Sequence, residues 1–140
     1  MTDYIVDTSV IIQHFITEPF TQNADRLFDS VDEDYSLHIP EFCLVECVNV
    51  FWKQVRFQSL PLEEAEIMMH DLLTIPFTIL PVEDLLPRAL QIGLAHKLAV
   101  YDSVYIALTE RYKFPLITAD AKQETAARTV GVTIKPITDF

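Results

Sequence analysis

A chain of 140 residues suits one domain with one sizeable core, and with half of its residues apolar it is not a disordered chain. Acids outnumber bases 21 to 10, for a net charge of −11, which excludes a protein that grips nucleic acid mainly through a basic surface, though not a nuclease whose bound cation offsets the acidity. No apolar run approaches the ~20 residues of a membrane span, the charged N-terminus is no signal peptide, and with only Gly93 and Gly131 there is neither a P-loop nor a dinucleotide fingerprint, so a cytosolic protein is expected.

In chain order, Tyr4-Ile5-Val6 is an uninterrupted apolar run ending in Asp7, the pattern of a short buried parallel strand whose carboxyl end points at a site. Thr8 or Ser9 is placed to cap a short helix over 10–16, which Pro19 stops. Ala24, Leu27, Phe28 and Val31 recur at helical spacing over 23–31. An acidic loop then leads into a second strand, 36–40, with His38 read as a packed strand histidine. The longest helical pattern is 41–59, with an apolar stripe of Leu44, Cys47, Val48, Phe51, Trp52 and Val55 and with Glu46 near its first turn. Cys43 and Cys47 share that helix; with no second Cys or His pair at metal spacing they read as buried thiols rather than half of a zinc site.

Pro61 opens a further helix to about residue 73, and 77–80 forms a third strand between two prolines. Asp84 is expected to cap a helix running to about Leu98, with Pro87 tolerated in its first turn. The segment 99–108 is mostly apolar but holds Asp102, and an acid against buried surface must be a cap, a paired ion or a ligand. Residues 115–118 form a fourth strand delivering Thr118 and Asp120 into a turn. A helix over 121–130 ends at Gly131, and 132–134 forms a fifth strand. Strands alternating with helices specify a parallel sheet with helices on both faces, in a single domain over 1–140.

Four acids stand out by position: Asp7 and Asp120 each follow an apolar strand, and Glu46 and Asp102 each lie near the start of an apolar helix. Each also has a plainer reading, as a helix cap or a complement to the helix dipole. Read together they form a set of oxygen donors without His or Cys, the chemistry that suits Mg²⁺ or Mn²⁺.

The motifs Ile5-Val6-Asp7-Thr8-Ser9, Glu46-Cys47-Val48-Asn49-Val50, Tyr101-Asp102-Ser103-Val104-Tyr105-Ile106-Ala107-Leu108 and Leu116-Ile117-Thr118-Ala119-Asp120 together resemble the PIN-domain ribonucleases, and within them the VapC-type toxins. The resemblance spans essentially the whole chain, with one departure at 121–124, where the family often carries an aromatic or leucine soon after the last acid. It implies a five-stranded parallel sheet ordered 3-2-1-4-5, in which Asp7 and Asp120 would meet at the switch-point crevice. It further implies a metal-dependent endoribonuclease using Mg²⁺ or Mn²⁺, with Asp7, Glu46, Asp102 and Asp120 as catalytic metal ligands. Thr8, Ser9 and Thr118 are hydroxyls placed to orient those carboxylates. Lys97, Lys122 and Arg128 flank the expected crevice as candidate RNA contacts, and a small antitoxin and a homodimer are the expected partners. Two alternatives stand beside this: a catalytically silent PIN-like binding module, and a phosphoacceptor receiver domain. The receiver design wants paired acids after its first strand, where Asp7 is followed by Thr8 and Ser9.

Overall fold

The computed structural model describes all residues, Met1–Phe140. Four strands, β1 (Thr2–Val6), β2 (Tyr35–Pro40), β3 (Thr78–Leu80) and β4 (Leu116–Ile117), form one parallel sheet in the order β3-β2-β1-β4. Six helices connect them, α1 (Thr8–Phe15), α2 (Thr21–Asp29), α3 (Phe42–Phe57), α4 (Leu62–Thr74), α5 (Leu86–His96) and α6 (Val100–Tyr112), and α7 (Ala121–Val130) follows β4. Successive strands step outward from β1 to β3, and the chain then returns to the other side of β1 with β4. The winding therefore reverses between β1 and β4, where α/β sheets open a crevice at their carboxyl ends.

The interior strands are apolar on both faces because both are covered. Ile5, Val6, Leu37, Ile39, Leu116 and Ile117 are all fully buried. Helix α6 is the central brace: Ser103 through Thr109 are all buried, and the helix packs on α5, α7, β1 and β4. The turn joining α5 to α6 folds back tightly enough to require a glycine, since a Cβ on Gly93 would stand 2.8 Å from the carbonyl oxygen of Leu98 in that turn and 3.1 Å from Ser103 Oγ on α6.

The expected fifth strand is not formed. Ile134 makes one isolated bridge to Leu116, in which the Leu116 N–H donates to the Thr133 carbonyl (2.9 Å) and the Lys135 N–H to the Leu116 carbonyl (2.9 Å). Strand β4 offers only two residues, and Pro136, which has no N–H, turns the chain into a short 3₁₀ turn over Ile137–Asp139. The sheet is thus four-stranded, with the expected fifth element reduced to a single bridge at the β4 edge. Two caps also differ from expectation. Neither Thr8 nor Ser9 caps α1, because both already lie inside it and Asp7 holds the N-cap position. Asp84 sits within a 3₁₀ turn, Glu83–Leu85, and α5 begins after it at Leu86.

Candidate active site

The pairing of Val6 with Ile117 sets Asp7 and Thr118 side by side, each one residue past its strand. Asp7 occupies the N-cap position of α1, yet its side chain makes no capping bond. Its carboxylate instead accepts from Ser9 Oγ at Oδ1 (2.5 Å) and from Thr118 Oγ1 at Oδ2 (2.5 Å). Each hydroxyl spends its only proton on Asp7 and accepts a backbone N–H in return: Ala119 N–H donates to Ser9 Oγ (2.9 Å), and Asp120 N–H to Thr118 Oγ1 (3.1 Å). The start of α1 is thereby stitched to the loop that carries Asp120. Asp7 is 5% exposed, and burial pushes its carboxyl up to about 6, against the two hydroxyl hydrogen bonds and with help from the charge of Asp120.

Asp120 is exposed and caps α7, its Oδ1 accepting from the amides of Lys122 (2.8 Å) and Gln123 (3.0 Å). The cap reading therefore holds for one of its oxygens, leaving Oδ2 unengaged. Asp102 differs. It lies in the first turn of α6, half-buried, without a capping bond, a cationic partner or any side-chain hydrogen bond. Burial, then the charges of Glu46 and Asp120, raise its carboxyl above the ordinary range, opposed by Lys122. Cap and ion pair are both absent, and its place in the first turn leaves a complement to the helix dipole or a ligand as its roles.

Glu46, one turn into α3, is held at a single oxygen. Thr8 Oγ1 (2.9 Å) and Tyr105 Oη (2.7 Å) both donate to its Oε1. Its Oε2 has no protein partner and is not among the sealed-off polar atoms, so it meets solvent. Behind this contact lies Cys43, whose Sγ is 3.4 Å from Thr8 Oγ1. Cys43 and Cys47 are both buried free thiols. Burial, followed by the neighbouring Cys43 and Glu46, pushes the Tyr105 phenol far above its ordinary value, so it is a neutral donor.

The fold thus brings the four acids to the carboxyl end of β1 and β4 and into electrostatic contact: Asp7 with Asp120, and Asp102 with both Glu46 and Asp120. No three His, Cys, Asp or Glu side chains are gathered into a finished cation cage. The donor set is carboxylate and hydroxyl oxygen, with Lys122 the cation that acts on Asp102, and such a set fits a hard divalent cation. Of the three candidate RNA cations, Lys122 is close enough to act on Asp102. Arg128 is paired with Glu124 (2.9 Å) on the same helix, and Lys97 is exposed in a left-handed conformation at the end of α5.

Two residues of the site carry no obvious signal in the sequence. Tyr105 falls within an apolar helical run, and only its spacing of three from Asp102 hints that it shares that acid's side. Gln123, 2% exposed, donates its Nε2 to the backbone carbonyl of Asp102 (2.8 Å), fastening α7 to the start of α6. A glutamine in a polar first turn reads as solvated, and nothing in the spacing contradicts that.

The PIN domain family model matches residues 4–129. The chain belongs to the PIN-domain family. It is 31% identical over 119 residues to Ribonuclease VapC3 of Pyrobaculum aerophilum, covering 83% of this chain and 88% of that protein. Among solved structures it resembles PAE2754 from Pyrobaculum aerophilum, with a TM-score of 0.75 at 18% identity over 99% of this chain and 92% of the other. It also resembles VapC20 of Mycobacterium tuberculosis, described as a sarcin-ricin loop cleaving toxin, with a TM-score of 0.68 at 16% identity over 93% and 96%. At such identities the two structures speak to the PIN-domain fold. That fold accounts for the switch point between β1 and β4 on which the acids converge.

Proposed function

We propose that this PIN-domain protein is a metal-dependent endoribonuclease that hydrolyses RNA phosphodiester bonds, acting in the cytoplasm as the toxin of a toxin–antitoxin pair. The observation that carries the catalytic reading is Asp102, a half-buried acid with no cap, ion pair or hydrogen bond, loaded further by the charges of Glu46 and Asp120. A protein keeps such a group at a cost in stability, and function is the offset. Asp7, Glu46, Asp102 and Asp120 are the residues that would hold Mg²⁺ or Mn²⁺. When bound, such a cation supplies positive charge that relieves the carboxylates and polarises the phosphate.

The remaining work belongs to the chain's own side chains. Ser9 and Thr118 fix both oxygens of Asp7, so its orientation costs nothing when substrate arrives. Asp120 presents Oδ2 while Oδ1 anchors α7. Lys122 places a cation near Asp102, where a phosphate of the RNA backbone would pass.

The partner reading rests on apolar surface. Val48, Trp52, Val55, Leu62 and Met69 line a groove of about 210 Å³ between α3 and α4, with Trp52 54% and Leu62 62% exposed. We assign that groove to the antitoxin, as an apolar helix-in-groove contact. Leu86, Leu90 and Leu94 form a second exposed stripe along α5, at the spacing of one helix face, which suits a homodimer.

The test is cleavage of RNA by purified protein with Mn²⁺ or Mg²⁺. The expected result is cleavage that EDTA stops and that Asp7→Asn abolishes in a folded protein. Cleavage by Asp7→Asn at the wild-type rate in the same metal would remove the site assignment. A wild type that binds the antitoxin groove's partner but cleaves nothing in any divalent metal would instead favour the silent binding module.

A further inference from the structure

Both hydroxyl protons nearest Glu46 converge on one of its two oxygens. Tyr105 Oη at 2.7 Å and Thr8 Oγ1 at 2.9 Å donate to Oε1, while Oε2 accepts nothing from the protein and faces solvent. A carboxylate with free choice would share such donors between its oxygens or turn both outward, since each has lone pairs to spare. The donors come from different elements. Thr8 stands at the start of α1 beside Asp7, Tyr105 stands one turn past Asp102 on α6, and Glu46 is on α3. Helices α1, α3 and α6, with Asp7 at the N-cap of the first and Glu46 and Asp102 on the other two, therefore meet at one oxygen atom.

The Tyr105 ring is itself immobile. It is 1% exposed and set edge-on against Phe42, with ring centres 5.8 Å apart and planes at 82°. Thr8 Oγ1 and Tyr105 Oη also stand 3.2 Å apart, and with both hydroxyl protons on Glu46 Thr8 is free to accept from the Cys43 thiol at 3.4 Å. The oxygen is thus braced by a network that is satisfied from behind.

We infer that Tyr105 is a positioning residue of the site: with Thr8 it pins Glu46 Oε1 to the interior so that Oε2 alone is offered to the divalent cation and the substrate. This rests on the nuclease reading given above. Partners that orient a metal-binding carboxylate in this way set affinity through geometry, and their loss typically weakens metal binding by about 10-fold or more. The network also ties the aim of Glu46 to the positions of Asp7 and Asp102, since their helices supply the two donors.

The test is calorimetric titration of Mn²⁺ into four purified proteins: wild type, Tyr105→Phe, Glu46→Ala and the double variant. Tyr105→Phe keeps the ring and its packing, and its melting temperature in EDTA should show an intact fold. The expected result is a loss of about 10-fold in Mn²⁺ affinity for Tyr105→Phe in the wild-type background and no further loss when Glu46→Ala is already present. Thr8→Val, which preserves shape and removes the second donor, should weaken Mn²⁺ likewise and again only when Glu46 is present. Unchanged Mn²⁺ affinity in both Tyr105→Phe and Thr8→Val overturns the inference. So does an equal loss in the Glu46→Ala background, which would mean that the tyrosine acts through packing alone. A wild type that binds no Mn²⁺ and cleaves no RNA fails one step earlier, removing the nuclease reading itself and this inference with it.

Discussion

Replacing Asp7 by Asn should make the metal-free protein more stable, and the gain should depend on pH in a calculable way. The carboxyl of Asp7 rises from its ordinary 3.8 to about 6 in the folded state, chiefly through burial. A raised folded value means that the folded chain holds the proton more tightly than the unfolded chain does. The two states bind it equally at low pH, the folded state is progressively disfavoured as pH rises from about 4 to about 6, and the full penalty applies above that. At about 1.4 kcal/mol per pH unit, the displacement corresponds to about 3 kcal/mol at neutral pH. Asp7 is almost fully buried, so solvent screening takes little from this. The carboxamide must turn its NH₂ toward Ser9 or Thr118, which then rotates to accept, so about 3 kcal/mol is a ceiling. For a chain of this size it amounts to a rise in melting temperature of up to ~10 °C. The assay is a melting curve in EDTA at intervals from pH 4 to pH 8 for both proteins. Their melting temperatures should converge at the acid end and separate as pH increases. If Asp7→Asn melts at or below wild type at neutral pH, with a gap that ignores pH, Asp7 is a stabilising cap or hydrogen-bonded anchor. Its burial would then be no mark of a site.

Three further outcomes are expected. Asp102→Asn should also raise the EDTA melting temperature, by less than Asp7→Asn because Asp102 is only half-buried, and should blunt the rise that Mn²⁺ produces; a lower melting temperature in EDTA would contradict its uncompensated state. Trp52→Glu, placing a charge in the α3–α4 groove, should abolish co-purification of the proposed antitoxin while RNA cleavage by the isolated protein persists, and retained co-purification would move the partner elsewhere. Gly93→Ala should lower the melting temperature although alanine is the better helix former by ~1 kcal/mol, because its Cβ would stand 2.8 Å from the Leu98 carbonyl oxygen and 3.1 Å from Ser103 Oγ; a raised melting temperature would show that α5 and α6 have room to part.

Most of the sheet was legible because its strands are short apolar runs ended by polar residues, and Asp7 at the end of Tyr4-Ile5-Val6 follows from that pattern directly. What failed was the strand over 132–134. It has the composition of a strand, but strand length depends on what the neighbour offers, and β4 offers two residues. The cap of α1 was misplaced by one residue for a related reason: Thr8 and Ser9 are good caps in isolation, yet their hydroxyls are drawn to Glu46 and Asp7. The acids themselves were conspicuous as charges among apolar neighbours. Tyr105 and Gln123 were not, since each plays its part through one polar atom on an otherwise unremarkable side chain. Only the tertiary contact of α3, α6 and α7 reveals it.

The complete burial of α6 from Ser103 to Thr109 bears on how this protein could change over time. A helix buried on one stripe can rotate or slide when its partners repack, but one enclosed on every side, and closed on α5 through Gly93, has no such freedom. Asp102 and Tyr105 ride on that helix and inherit its rigidity. A new preference for a protein partner would therefore arise elsewhere, on the exposed flanks of α3, α4 and α5, where apolar side chains already face solvent. In the proposed function, catalysis and partner docking thus fall on different parts of the same small domain, and a substitution on one leaves the other's geometry in place.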